Sequence, residues 1–255
     1  MKKQLFALLF ALVPMVGFAA GDSVHLQSMK PDLYDKASLQ NGMKLYVNYC
    51  MGCHSLDYQR FSRAAEDLDM PQNLVEENLI FAESVGYNDQ MQNAMDKGDA
   101  EGWFGAPPPD LSLEARLRGT DWVYSYLLGF YRDPSRPTGV NNTVFPLVAM
   151  PNVLEELQGV QEKVCASSSK PIPGAEIDPL TGKYQSCDTL QVTSPGQMDP
   201  EAFESAVYDL TNFLAYAAEP SKLKAQALGP KVLIFIFIFG VIAYLLKREY
   251  WRDIH

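Results

Sequence analysis

The sequence predicts a mainly α-helical domain with long irregular insertions, exported from the cytoplasm and held to a membrane by one C-terminal transmembrane helix. Three observations predict it. Lys2 and Lys3 lead an apolar run from Leu5 to Val13 that closes on the small residues Gly17, Ala19 and Ala20. Val232 to Leu246 carries no charge and is flanked by Lys231, Lys247 and Arg248. Between these ends the clearest periodicity is helical, with Leu39, Met43, Tyr46 and Val47 on one face, while Ser, Pro and Gly collect in stretches such as 165–187.

The N-terminal run is short and interrupted by Pro14, so it reads as a signal peptide over 1–20, removed after Ala19 or Ala20, and not as a retained anchor. The mature domain then spans 21–228, with an insertion at about 160–195. The anchor spans 229–248. Its apolar core is shorter than the roughly 20 residues of a typical span, but Lys231 can snorkel and Tyr244, Tyr250 and Trp251 suit an interface. Lys247, Arg248 and Arg252 assign the tail, 249–255, to the cytoplasm. Both signals place the domain outside the cytoplasm.

A chain of 255 residues with 47% hydrophobic content can bury a substantial core, and its formal charge of −10 excludes nucleic acid as a partner, since phosphate binding needs clustered Lys and Arg. Once the basic termini and anchor flanks are set aside, the exported domain is more acidic still. Such a surface suits basic proteins or other membrane subunits.

Cys50-Met51-Gly52-Cys53-His54 is the attachment signature for c-type haem: two thiols one helical turn apart reach the two vinyl groups, and the adjacent His ligates iron. The helix that runs into it sets an apolar wall against the motif. A thioredoxin-like redox pair or half of a zinc site also uses Cys-x-x-Cys, but neither requires the His, and no second Cys-x-x-Cys completes a zinc site. The fold class is accordingly a mainly α cytochrome c-like domain carrying one covalent haem c.

Counting narrows the second axial ligand. The chain has three histidines: His54 is used, His25 follows the cleavage site, and His255 lies beyond the anchor. Methionine is the usual alternative and raises the reduction potential. Met150 is the best candidate, in an apolar segment between Pro146 and Pro151, whereas Met70, Met91, Met95 and Met198 lie in acidic or polar stretches. Between the two ligands, Gly105-Ala106-Pro107-Pro108-Pro109-Asp110-Leu111-Ser112 forms a stiff segment with few spare amide donors, suited to lie along a macrocycle. Arg116 and Arg118 follow, and either could pair with haem propionates. Cys165 and Cys187 remain; outside the cytoplasm they should form a disulfide closing the insertion, with roughly 3 kcal/mol of stabilisation.

Several blocks in order resemble the cytochrome c1 family, the haem-bearing subunit of the quinol:cytochrome c oxidoreductase (cytochrome bc1) complex, in its Gram-negative bacterial form. They are Asn41-Gly42 through Tyr58, Pro108-Pro109-Asp110-Leu111-Ser112, Asp133-Pro134, Pro137-Thr138-Gly139-Val140, Phe145-Pro146 to Met150, and Phe213-Leu214-Ala215-Tyr216-Ala217-Ala218-Glu219-Pro220. The resemblance implies attachment through Cys50 and Cys53, ligation by His54 and Met150, haem contacts from Ala106, Pro108 and Pro109, and a propionate contact from Arg118. Trp122 stands where the family commonly has a tyrosine beside the haem, and the stretch from Phe145 to Met150 is shorter than in familiar relatives. The implied function is electron transfer from a Rieske iron–sulfur protein to a soluble or membrane-bound cytochrome c, beside cytochrome b in a dimeric multi-subunit complex. The chain would thus be a subunit of an oxidoreductase with no catalytic acid, base or nucleophile of its own. Two other readings stay open: a free-standing anchored cytochrome serving a terminal oxidase, and a haem-based gas sensor.

Overall fold

The computed structural model describes residues 26–171 and 175–252. The predicted signal peptide, His25 and His255 lie outside the described residues.

Helix α1 (Lys36–Leu45) begins where the Asp35 carboxylate accepts from Ser38 N at 3.1 Å. Its predicted face is the buried one: Leu39, Met43, Tyr46 and Val47 are all in the core. At Tyr46 the hydrogen bonding widens to i→i+5 and stays so through Cys50, with Met51 N donating to Tyr46 O at 2.9 Å. Wide turns of this kind concentrate at functional sites, and this one delivers the chain into the Cys-x-x-Cys-His motif.

The long helix near the C-terminus packs across α1. A Cβ on Gly42 would lie 2.0 Å from Asp209 O and 2.7 Å from Phe213 Cβ, so only glycine permits the crossing. Asn41 Nδ2 donates to Asp209 Oδ2 at 2.7 Å, Asn212 Nδ2 donates to Asp32 O and Ser38 Oγ, and the rings of Tyr46 and Phe213 lie 5.8 Å apart. Two of the blocks that carry the resemblance therefore meet in the core.

In chain order the intervening elements are β1 (Leu56–Arg60), α2 (Phe61–Asp67), α3 (Gln72–Leu79), β2 (Gln90–Met91), α4 (Lys97–Phe104), α5 (Glu114–Leu117), α6 (Thr120–Leu128), β3 (Phe130–Arg132), β4 (Val140–Asn142) and α7 (Glu155–Gln158). Strands β1 and β2 pair antiparallel, as do β3 and β4. Met91 is fully buried in the main core.

The predicted insertion carries regular structure of its own. Strand β5 (Gly159–Ser168) runs antiparallel to β7 (Tyr184–Pro195), and β6 (Glu176–Ile177) adds to the far edge of β7. Gly159, at φ 87°, begins β5 where a Cβ would meet Ser194 O at 2.1 Å. Most described side chains of β5 are at least partly exposed, so backbone pairing holds the ribbon more than burial does.

Helix α8 (Pro200–Ala218) is the one that crosses α1. Helix α9 (Lys222–Tyr250) follows, starting ahead of the predicted anchor and running through Pro230. Proline removes the hydrogen bond its own N–H would make, and the carbonyl left without that donor can be satisfied by water at an interfacial position. Helix α9 is long and apolar enough to cross a membrane, and none of its residues is buried. Phe235, Phe237, Ile238 and Phe239 are all more than half exposed, which only a lipid or protein environment stabilises.

The junction of α8 and α9 is pinned to α2. Asp67 accepts from Arg63, from Tyr216 Oη at 3.0 Å and from Lys224 Nζ at 2.9 Å. Burial opposes ionisation of Asp67, but these three donors outweigh it and hold the carboxyl below its ordinary range.

Candidate functional site

The site begins at the end of the wide helical turn, where Cys53 N and His54 N both donate to Cys50 O, at 3.0 and 2.9 Å. Cys50 is buried, Cys53 is partly so, and neither is in a disulfide. Burial, reinforced by Cys53, pushes the Cys50 thiol up to about 12.

His54 is 9% exposed, and its Nδ1 lies 2.7 Å from Pro109 O. A carbonyl only accepts, so Nδ1 carries the proton and Nε2 keeps its lone pair. Burial lowers the His54 pKa, against the opposing pull of the Pro109 carbonyl, Glu114 and Asp110. The neutral tautomer that a metal ligand requires is thereby favoured. The His54 carbonyl in turn accepts from Tyr46 Oη at 2.6 Å, which fixes the motif to α1.

The proline segment is stitched to the chain that follows the motif. Leu111 N donates to Ser55 O at 2.9 Å, Asp57 N to Asp110 Oδ2 at 2.8 Å, and Tyr58 N to Ser112 Oγ at 3.1 Å. Pro108 is half-buried, and Ala106 and Pro109 are exposed. The predicted wall is thus held beside His54 by Asp110, Leu111 and Ser112, the residues that follow the prolines.

A third group comes from α5 and α6. Arg118 Nε donates to Glu114 Oε2 at 2.8 Å, and its guanidinium lies 4.4 Å from the Trp122 ring centroid. Trp122 stacks on Tyr126, centroids 5.0 Å apart and 8° from parallel, and meets Phe145 edge-on at 6.4 Å. Tyr126 Oη donates to Met150 Sδ at 3.3 Å. Arg118, Trp122 and Met150 therefore belong to one constellation. Arg116 points elsewhere, 3.9 Å from Glu219.

Met150 packs against a small cluster of Phe130, Val140 and Val148, separate from the main core. Its loop is held by side chains. Asn141 Oδ1 accepts from Leu147 N at 2.8 Å; Asn142 Oδ1 accepts from Val144 N at 2.8 Å and Phe145 N at 3.1 Å. Asn142 Nδ2 donates to Tyr126 O at 2.7 Å, and Arg136 donates to Leu147 O at 2.9 Å. Leu147 sits at φ 63°, a left-handed conformation costly for a leucine and kept only because these bonds fix it. Sequence reasoning misses Tyr126, Arg136, Asn141 and Asn142 as site residues. The available signal is the tandem Asn, whose amides mimic backbone in turns.

Cys165 is disulfide-bonded. The side chain of Cys187 lies outside the described residues, but the register brings its backbone alongside, between the pairs Val164↔Thr189 and Ala166↔Ser186.

Two thiols on one turn, a neutral imidazole with Nε2 free, a thioether and an aromatic wall fit a covalent haem. Among the described residues no group of three or more His, Cys, Asp or Glu could hold a bare metal ion. Fold and site together define a membrane-anchored c-type cytochrome. A family model described as the Cytochrome C1 family matches residues 27–163 and 196–254, leaving out most of the ribbon. The chain is 43% identical over 255 residues to cytochrome c1 of Allochromatium vinosum, covering 100% of both chains. It is 42% identical over 245 residues to the ammonia monooxygenase gamma subunit of Nitrosomonas europaea, covering 96% of this chain and 95% of that one. It is 24% identical over 291 residues to cytochrome c1 of Rhodobacter capsulatus, covering 98% and 97%. The chain belongs to the cytochrome c1 family. As such it carries one covalently bound haem c and is the electron-transfer subunit of the bc1 complex.

Proposed function

We propose that Cys50 and Cys53 hold the haem through thioethers, that His54 Nε2 and Met150 Sδ are the axial ligands, and that the chain passes single electrons from a Rieske iron–sulfur protein to a cytochrome c. When bound, the haem supplies one-electron chemistry at an iron whose His and Met ligands favour a high potential. The observation that carries the reading is the His54–Pro109 hydrogen bond, which leaves Nε2 as a neutral donor beside both thiols. The residues divide the remaining work. Tyr46 and Pro109 orient His54. Ala106, Pro108 and Trp122 exclude water from the macrocycle, and Arg118 neutralises a propionate.

In this reading residues 1–20 direct export, 21–228 form the periplasmic domain, 229–248 span the cytoplasmic membrane and 249–255 remain in the cytoplasm. Cys165 pairs with Cys187 across the ribbon, supported by their backbone register. Cytochrome b and lipid surround α9, and the acidic exterior attracts a basic cytochrome c.

Optical and near-infrared spectra of the haem-loaded chain beside Met150→Leu test the ligand set. Loss of the Met–iron charge-transfer band with a large fall in potential is expected; an unchanged spectrum overturns Met150. Isolation without cytochrome b and a Rieske protein would favour a free-standing cytochrome, and carbon monoxide binding to the reduced protein would favour a sensor.

A further inference from the structure

We infer that Tyr126 is a tuning residue for the Met150 ligand: its phenol donates to the thioether sulfur and so raises the reduction potential of the centre. The inference rests on the reading of Met150 as axial ligand.

The donor is built, not incidental. Tyr126 Oη lies 3.3 Å from Met150 Sδ, and that sulfur is its hydrogen-bond partner among the described residues. The ring cannot swing freely, being stacked on Trp122 at 5.0 Å and met edge-on by Phe130 at 5.1 Å. The backbone is tied to the ligand loop as well, because the Tyr126 carbonyl accepts from Asn142 Nδ2 at 2.7 Å. Helix, aromatic stack and loop thus hold the hydroxyl at one distance from the sulfur.

A thioether sulfur has two lone pairs, so one can serve iron while the other accepts the phenol. The hydrogen bond draws density from the sulfur and weakens its donation. Ferric iron depends on that donation more than ferrous iron does, so the bond favours the reduced state.

The test uses the haem-loaded full chain and its Tyr126→Phe and Met150→Leu variants, read by redox titration, the near-infrared band and thermal unfolding. Tyr126→Phe keeps the ring stack and removes only the donor. The expected result is an intact charge-transfer band, unchanged thermal unfolding and a lower potential, so that at fixed ambient potential the ferrous:ferric ratio falls several-fold; tenfold corresponds to about 59 mV for a one-electron couple. An unchanged potential with the band intact overturns tuning and leaves Tyr126 as a packing residue. Loss of the band in Tyr126→Phe also overturns it, because Tyr126 would then position Met150. A band that survives in Met150→Leu instead refutes the ligand reading, separately from either outcome.

Discussion

His54 and Met150 are held by different means. The chain around His54 is part of the main core: Tyr46 and Cys50 are buried in it, α8 crosses directly behind α1, and backbone-rooted hydrogen bonds fix the motif. Met150 rests on three residues of a small separate cluster, in a loop whose amides are satisfied largely by the side chains of Asn141 and Asn142, with Arg136 holding a carbonyl. One proposed ligand is positioned by packing and the other by a polar cradle around a strained Leu147. A cradle of this kind opens at lower free energy than a core and is more easily altered to set a potential.

The contrast breaks most sharply at the crossing. Gly42→Ala should cost about 3 kcal/mol of global stability, because the Cβ meets the α8 backbone and no rotamer avoids it; chemical denaturation of the haem-loaded protein measures this. Asn142→Ala strands two loop amides and removes one of the two donors to the Tyr126 carbonyl, which keeps Gly129 N, so a loss of about 2 kcal/mol is expected, with a weakened charge-transfer band at room temperature. Arg136→Ala removes one charged donor to Leu147 O and should cost about 1 kcal/mol, read as easier displacement of Met150 by added imidazole with helix content unchanged.

An effect of similar size is expected where α2 meets the junction of α8 and α9. Asp67 is held below its ordinary range in the fold, so its contribution is present above the unfolded pKa of roughly 3.9 and is lost as pH falls through the lower folded value. Asp67→Asn should therefore cost about 1 kcal/mol at neutral pH and flatten the acid limb of the stability curve, followed by thermal unfolding between about pH 7 and 3.

Legibility in the sequence followed the same divide. The face of Leu39, Met43, Tyr46 and Val47 was readable because core packing imposes a helical period, and Cys50, Cys53 and His54 because their spacing is set by covalent chemistry. Met150, the proposed second ligand, could be nominated only by counting histidines and weighing neighbours. Its cradle was not, since Asn141, Asn142 and Arg136 act through loop backbone and leave no periodic trace. The ribbon was hidden too: polar residues such as Ser167 and Ser168 and largely exposed faces give β5 little apolar alternation, so its pairing with β7 is a long-range fact. The anchor was read as starting at 229, yet α9 begins at Lys222 and runs through Pro230.

The most direct measurement is denaturant unfolding of the ferric protein followed at once by the Met–iron charge-transfer band and by far-ultraviolet circular dichroism. The polar cradle predicts that the band disappears at lower denaturant than the helical signal. Coincident transitions would contradict it and mean that Met150 is held by the same cooperative core as His54.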